Sequence, residues 1–227
     1  TRRVISLTAA ANVAWNPAAT RSRASPVSRR RAASASSAEL ASTGSPAETG
    51  TDHAPVYVAI DPVTQEVYVS DRLAGAIYVY DRDGAYLREV ALAQPRPGWQ
   101  PLGLAFDTAG QLYVTDVSGP YQKILVIDRQ ANVVRTFGEN DMLNFPNGIG
   151  VDRAGRTYVT DGNNGRLLVY DEDGTVVARV GRGTGEGNLG LPRGLAVDSS
   201  DQVFVADATG QGVFIYRGPA EGDSRLD

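Results

Sequence analysis

From Pro55 onward the apolar residues fall into short runs separated by Gly, Asp, Asn and Pro, and the runs recur. Four of them open on Pro and close on Asp: Pro55 to Asp61, Pro101 to Asp107, Pro146 to Asp152 and Pro192 to Asp198. The four prolines step by 46, 45 and 46 residues. A second run follows each: Val67–Asp71, Leu112–Asp116, Thr157–Asp161 and Val203–Asp207. A third apolar run comes at Ala76–Tyr80, Ile124–Ile127, Leu167–Tyr170 and Val213–Tyr216. Asp83-Gly84 and Asp173-Gly174 then mark tight hairpin turns, because both positions tolerate positive φ. A fourth run closes the first three units, at Tyr86–Val90, Val133–Phe137 and Val176–Val180. Runs this short, rich in Val, Ile and Tyr and bounded by turn residues, predict strands. No helical periodicity survives beyond residue 50.

Four antiparallel strands in a self-similar unit of about 45 residues describe one blade of a β-propeller. Strands such as Leu167-Leu168-Val169-Tyr170 are apolar at consecutive positions, so both of their faces need cover. A blade wedged between neighbours has that environment, whereas a strand of a two-sheet sandwich alternates. The expected fold is therefore all-β, with blades at about 55–92, 101–138, 146–181 and 192–227.

No Trp-Asp dipeptide, Gly-His opening or Gly-Gly pair occurs, which argues against WD40 and kelch blades. The pattern Pro-x-Gly-(Leu/Ile)-(Ala/Gly)-Val-Asp, then Tyr-Val-Thr-Asp, then Asn-x-x-Arg-Leu-Leu-Val-Tyr-Asp, resembles the NHL repeat. The resemblance covers about 55–227 and is best in the third unit, through Pro146, Gly148, Asp152, Gly155, Tyr158, Asp161, Asn163, Asn164, Gly165 and Arg166. Unit one departs with Tyr57 in place of Gly, and unit four has Ser200-Asp201 in place of the Gly before its second strand. The resemblance implies a ring of six blades. The four units here then read as an arc about two blades short, with Ser224 to Asp227 where a further strand would begin. Such an arc would expose a sheet edge and apolar blade faces, an aggregation hazard. The opening Thr1 suggests further sequence upstream.

Charge divides the chain. Residues 1–50 hold seven Arg against Glu39 and Glu48, a formal +5, while the remainder carries 15 basic and 24 acidic side chains, a formal −9. With 13 Ala and nine Ser among those fifty, the first segment cannot bury enough surface to offset its ordering entropy, and disorder is expected. Thr1-Arg2-Arg3-Val4-Ile5-Ser6-Leu7 looks like a twin-arginine export signal. An Arg-, Ser- and Ala-rich, acid-poor start also fits an organellar transit peptide, and a solvated tail or linker is the plain alternative. The location that follows is outside the cytoplasm, exported or membrane-anchored. No apolar stretch is long enough for a transmembrane helix.

The chemistry is sparse. There is no Cys and one His, His53, which excludes thiolate ligands, a Cys nucleophile and any site of several imidazoles. His53 reads as a solvated residue ahead of the first blade. The eight recurrent Asp, from Asp61 and Asp71 to Asp198 and Asp207, follow the repeat, so turn chemistry explains them better than a metal. Asp171-Glu172-Asp173-Gly174 lacks the remaining ligands of a calcium loop. Gly181 to Gly187 has neither the following helix nor the Lys-Ser/Thr of a phosphate loop. No metal, cofactor or catalytic residue is assigned.

In a propeller, the loops entering each blade and those joining second to third strands share one face. That face should carry Trp99, Gln100, Tyr121, Gln122, the 140–144 loop, Asn163, Asn164, Arg166 and Arg182, with Arg193 at the axis. The candidate binding residues are Trp99, Tyr121, Asn163, Asn164, Arg166, Arg182 and Arg193, a mixture suited to a protein, peptide or glycan. The resemblance also implies enzymatic precedents, a zinc lyase and a lactone hydrolase, but the residues those sites need are not in this stretch. RNA, another precedent, needs a basic surface that the −9 region lacks. The expectation is a non-enzymatic binding scaffold or sensor, the alternative being a metal-dependent lyase or lactone hydrolase whose decisive residues lie in further blades.

Overall fold

The computed structural model describes residues 53–94, 96–181, 189–209 and 212–217, so the fifty-residue basic segment and Arg182 lie outside the described residues. Fifteen strands follow in order: β1 Pro55–Ile60, β2 Val67–Asp71, β3 Ala76–Tyr80, β4 Tyr86–Glu89, β5 Pro101–Phe106, β6 Leu112–Asp116, β7 Lys123–Ile127, β8 Val133–Phe137, β9 Pro146–Val151, β10 Thr157–Asp161, β11 Arg166–Tyr170, β12 Val176–Val180, β13 Pro192–Val197, β14 Gln202–Asp207 and β15 Gly212–Arg217. They form four antiparallel meanders, β1 to β4, β5 to β8, β9 to β12 and β13 to β15, each in chain order. These are the four blades of a β-propeller, the first strand of each blade lying against its counterpart in the next. The strands fall where the apolar runs predict them, within a residue or two at their ends.

The core sits in the seams between blades. Ala59, Tyr68, Ile77 and Val79 of blade one pack with Leu104, Leu112, Val114, Leu125 and Ile127 of blade two. Tyr113, Ile124, Val126 and Phe137 meet Ile149, Val159, Leu168 and Tyr170 in the second seam. Tyr158, Leu167, Val169 and Ala178 meet Leu195, Val203 and Val205 in the third. Successive residues of β11 thus serve opposite seams, Leu168 one and Leu167 and Val169 the other. That is why these middle strands are apolar throughout rather than alternating. Truncating one such buried Leu to Ala costs about 2–5 kcal/mol.

A polar ladder crosses the same seams near the axis. The pairing of each first strand with its second is irregular near its start, at Pro55/Tyr57, Pro101/Leu104 and, seen from β10, Val159/Asp161. A hydroxyl answers the backbone N–H freed there: Tyr57 N donates to Ser70 Oγ at 3.2 Å, Gly103 N to Thr115 Oγ1 at 2.7 Å and Gly148 N to Thr160 Oγ1 at 2.7 Å. Two of the hydroxyls also reach the next blade, Ser70 Oγ donating to the Leu102 carbonyl at 2.6 Å and Thr160 Oγ1 to that of Arg193 at 3.1 Å. Blade four has Ala206 at this position. Glycine at 103 and 148 is a matter of space, since a Cβ on Gly103 would stand 2.4 Å from the Asn147 carbonyl oxygen and one on Gly148 would stand 2.8 Å from Leu195 N. Tyr57 replaces that glycine in blade one, and its hydroxyl donates to the Arg193 carbonyl of blade four at 2.9 Å. Burial pushes the Tyr57 phenol up to about 12, against a smaller opposing pull from Arg193.

Candidate functional site

The recurrent aspartates build the two ends of the propeller, and they do so as turn residues. At the end opposite the candidate face, Asp107 Oδ1 accepts the N–H of Ala109 at 2.9 Å and of Gln111 at 2.8 Å. Asp152 and Asp198 bind the same two positions of their own turns. Asp81, Asp128 and Asp171 repeat the device between third and fourth strands. Asp171 to Gly174 is therefore a hairpin turn. Two ion pairs cross between blades at this end: Arg129 with Asp61, at 3.1 Å from both guanidinium nitrogens, and Arg153 with Asp201 at 2.7 Å. Asp201 stands where blades two and three have a glycine with positive φ, Gly110 and Gly155, keeps that conformation at 58°, and uses its carboxylate to reach the neighbouring blade.

At the candidate face, the aspartate ending each second strand staples the incoming loop. Asp71 Oδ1 accepts from Ala54 N at 2.9 Å, Asp116 Oδ1 from Gln100 N at 3.2 Å, Asp161 Oδ1 from Asn144 N at 2.7 Å and Asp207 Oδ2 from Gly190 N at 2.7 Å. All four are buried. Among the described residues no three His, Cys, Asp or Glu side chains are placed to hold one metal ion.

The loop from Gly138 to Phe145 is the most elaborated part of this face. Met142 and Phe145 both hold positive φ, 51° and 59°, which requires support from outside the loop. Asn164 Nδ2 donates to the Met142 carbonyl at 2.9 Å and to Asp161 Oδ2 at 2.7 Å. Arg166 donates from Nε to Asp161 Oδ2 at 2.7 Å and from Nη2 to the Asp141 carbonyl at 2.5 Å. Phe145 N donates to Gln122 Oε1 at 2.6 Å, and Asn163 Nδ2 to Asn144 Oδ1 at 3.0 Å. Asn163, Asn164 and Arg166 thus lie together beside this loop, and Asn164 and Arg166 are engaged in holding it. What the loop presents is Met142, 81% exposed, with Leu143 buried beneath it.

Trp99 requires a correction. It is buried in the seam of blades one and two, and its indole N–H donates to the Gly75 carbonyl, so it fastens a loop rather than facing solvent. His53 is also corrected: its side chain is largely buried, and Nδ1 sits 2.8 Å from Asp71 Oδ2. Tyr121 is 70% exposed, and Asn163 and Arg193 are exposed. Two residues are not singled out from the sequence, Leu73 in the β2–β3 loop and Met142 within the 140–144 loop placed on this face, both large, apolar and open to solvent. Leu73 is the one large apolar side chain of its four-residue turn, whereas Met142 adjoins Leu143 and shares its loop with Phe145, and nothing local says which of these faces solvent.

A cleft of about 460 Å³ lies beside this loop, between Phe137 to Asp141 of the blade two exit and Gly174 to Arg179 of blade three. Arg179, mostly exposed, stands 3.7 Å from Asp141 on its wall. Burial pushes the adjoining Tyr170 phenol far up, helped by the Asp141 charge, so it stays neutral. No helix of the described residues is long and apolar enough to cross a membrane.

Comparison with known proteins accords with this architecture. The NHL repeat family matches residues 143–170, the segment from Leu143 through the best-formed second and third strands. NHL repeat-containing protein 3 of Mus musculus is 30% identical over 168 residues, covering 66% of this chain and 48% of that protein. The chain spans about half the length of that relative. Among solved structures, a chain of a nidogen/laminin complex is 26% identical with a TM-score of 0.53, over 69% of this chain and 57% of that one. Virginiamycin B lyase from Staphylococcus aureus, at 17% identity and a TM-score of 0.53, covers 72% of this chain and 55% of its own, and shows the shared fold alone. Repeat sequence, blade geometry and these matches together support an NHL-repeat family for this chain.

Proposed function

We propose that the chain is a non-enzymatic binding module that takes a protein partner on the loop face described above. The observation that carries the reading is the placement of three large exposed apolar side chains on that one face. Leu73, Tyr121 and Met142 are 55%, 70% and 81% exposed, on loops of blade one, blade two and the blade two–three junction. Such residues, set among amides and arginines, are the anchors of protein interfaces. The presence of a similar chain in a nidogen/laminin complex supports the reading by analogy. The same proposal includes a six-bladed ring and a location outside the cytoplasm. Supports for these are the apolar blade four residues Val213 and Ile215, 39% and 58% exposed, and the twin-arginine start.

The test is capture by the immobilised chain, compared with a Leu73→Ala, Tyr121→Ala, Met142→Ala triple variant and a Val63→Ala, Val134→Ala control away from the face. Retained proteins should be lost with the triple variant and kept with the control, with unchanged melting of both. Equal capture by the triple variant overturns the face. A stoichiometric zinc or calcium ion whose removal abolishes an activity overturns the non-enzymatic reading in favour of a lyase or lactone hydrolase.

A further inference from the structure

The aspartates that end the second strands form an internal comparison, because the same carboxylate is built into each blade. In blade three, Asp161 Oδ2 is answered by the Arg166 guanidinium at 2.7 Å. In blade one, Asp71 Oδ2 is answered by the His53 imidazole at 2.8 Å. In blade two, Asp116 is 1% exposed and its Oδ1 accepts from Gln100 N and Ser118 N, yet its Oδ2 has no hydrogen-bond donor. Leaving a buried carboxylate oxygen unanswered is expensive, and a side-chain nitrogen answers it in blades one and three, a guanidinium in blade three.

Blade two departs from the repeat in a second way at the same place. Its loop between second and third strands runs over six residues, 117–122, where blades one and three have four, 72–75 and 162–165. The longer loop carries Tyr121, whose ring is 70% exposed. Lys123 is in strand register with Asp116, as Arg166 is with Asp161, but makes no ion pair with it. A carboxylate lacking its cation and an exposed aromatic ring therefore flank one loop, the two elements that hold ammonium and guanidinium groups.

We propose that Asp116 and Tyr121 form a receptor for a cationic side chain, an arginine or lysine presented by a protein partner. The inference rests on the binding-module reading and supplies the chemistry of its partner. The incoming group takes at Asp116 Oδ2 the place that Arg166 Nε holds at Asp161, with its flank against the Tyr121 ring. The acidic character of residues 51–227, a formal −9, favours the approach of a basic segment.

The test is carboxylate NMR on the full chain with 13C-labelled aspartate, titrated with acetyl-arginine amide, acetyl-lysine amide and the neutral acetyl-citrulline amide. The resonance lost in Asp116→Asn should move saturably with the two cationic probes and stay still with citrulline amide, while that of Asp161 stays still throughout. Tyr121→Ala, at an exposed site that leaves folding intact, should weaken binding about threefold. No saturable movement, an equal response to citrulline amide, or an unchanged Tyr121→Ala titration overturns the proposal. So does a Lys123→Ala variant that moves the Asp116 resonance while the probes do not, because Lys123 then answers the carboxylate itself. If the probes fail while loop-face capture persists, the receptor falls alone. If the probes bind while the triple variant still captures its partner, the loop-face assignment falls instead.

Discussion

Thr160→Val removes the hydroxyl that links the inner strands of blades three and four while keeping the side chain's shape. Two interactions go together. Gly148 N, buried where β9 and β10 lose regular pairing, is left with no acceptor, which costs about 1–3 kcal/mol. The donation to the Arg193 carbonyl is lost as well, worth about 0.5–1.5 kcal/mol. The second loss falls toward the low end because Tyr57 still donates to that carbonyl. The sum is a destabilisation of roughly 1.5–3.5 kcal/mol, or a fall in melting temperature of about 3–14 °C for a domain of this size. Urea unfolding followed by far-ultraviolet circular dichroism measures it, with hydrogen exchange at the Gly148 amide as the local reporter. Thr160→Ser keeps the hydroxyl and should lose about 1 kcal/mol or less. Thr115→Val, whose hydroxyl accepts from Gly103 N, should fall between the two. A Thr160→Val protein within about 0.5 kcal/mol of the parent, with Gly148 still protected, refutes the ladder as a blade-to-blade tie.

Gly110 has positive φ, and a Cβ there would stand 1.7 Å from Arg129 Nη2, so Gly110→Ala should both strain the turn and dislodge Arg129 from Asp61. Its destabilisation, about 2 kcal/mol, should shrink in an Arg129→Ala background, and equal losses in both backgrounds would contradict the contact. The Asp61 carboxyl is pulled up by burial but held below its ordinary value by Arg129 and the N–H groups of Val63 and Thr64. Arg88 lowers Glu66 and Arg153 lowers Asp201. Folded values below the unfolded ones mean stability that is complete above the ordinary carboxylate range and is lost as pH falls through the folded values. Urea midpoints between pH 2 and 7 should show this acid loss, and Arg129→Ala should flatten it; an unchanged profile counts against the pair. Trp99→Ala should cost about 3–5 kcal/mol in the same assay, whereas Tyr121→Ala should stay within about 0.5 kcal/mol. Similar values for the two would undo the contrast between a buried fastener and an exposed contact residue.

The fold was legible because each blade repeats one physical problem. Strands buried on both faces must be apolar at consecutive positions, and the turns between them need Asp or Gly, so Leu167 to Tyr170 and Asp171 to Gly174 announce themselves. The aspartates were read as turn residues, and their N–H partners show that they are. The candidate face was less legible, because a sequence places a residue on a loop without saying which way its side chain goes. Trp99 and Tyr121 look alike as loop aromatics. One is drawn inward because the Gly75 carbonyl and the first seam offer it a partner and a pocket, and the other remains in solvent. Met142 is held outward by partners on a different loop, Asn164 above all, and no local pattern encodes that. The partner of His53, Asp71, lies 18 residues away across a blade, which is why its burial was missed.

Hydrogen exchange of the chain alone and with a captured partner shows where on the propeller that partner sits. Added protection is expected to be confined to the loops 72–75, 117–122 and 138–145, where Leu73, Tyr121 and Met142 stand exposed. Protection instead at the opposite turns, 61–66, 107–111 and 152–156, with these loops unchanged, would contradict it.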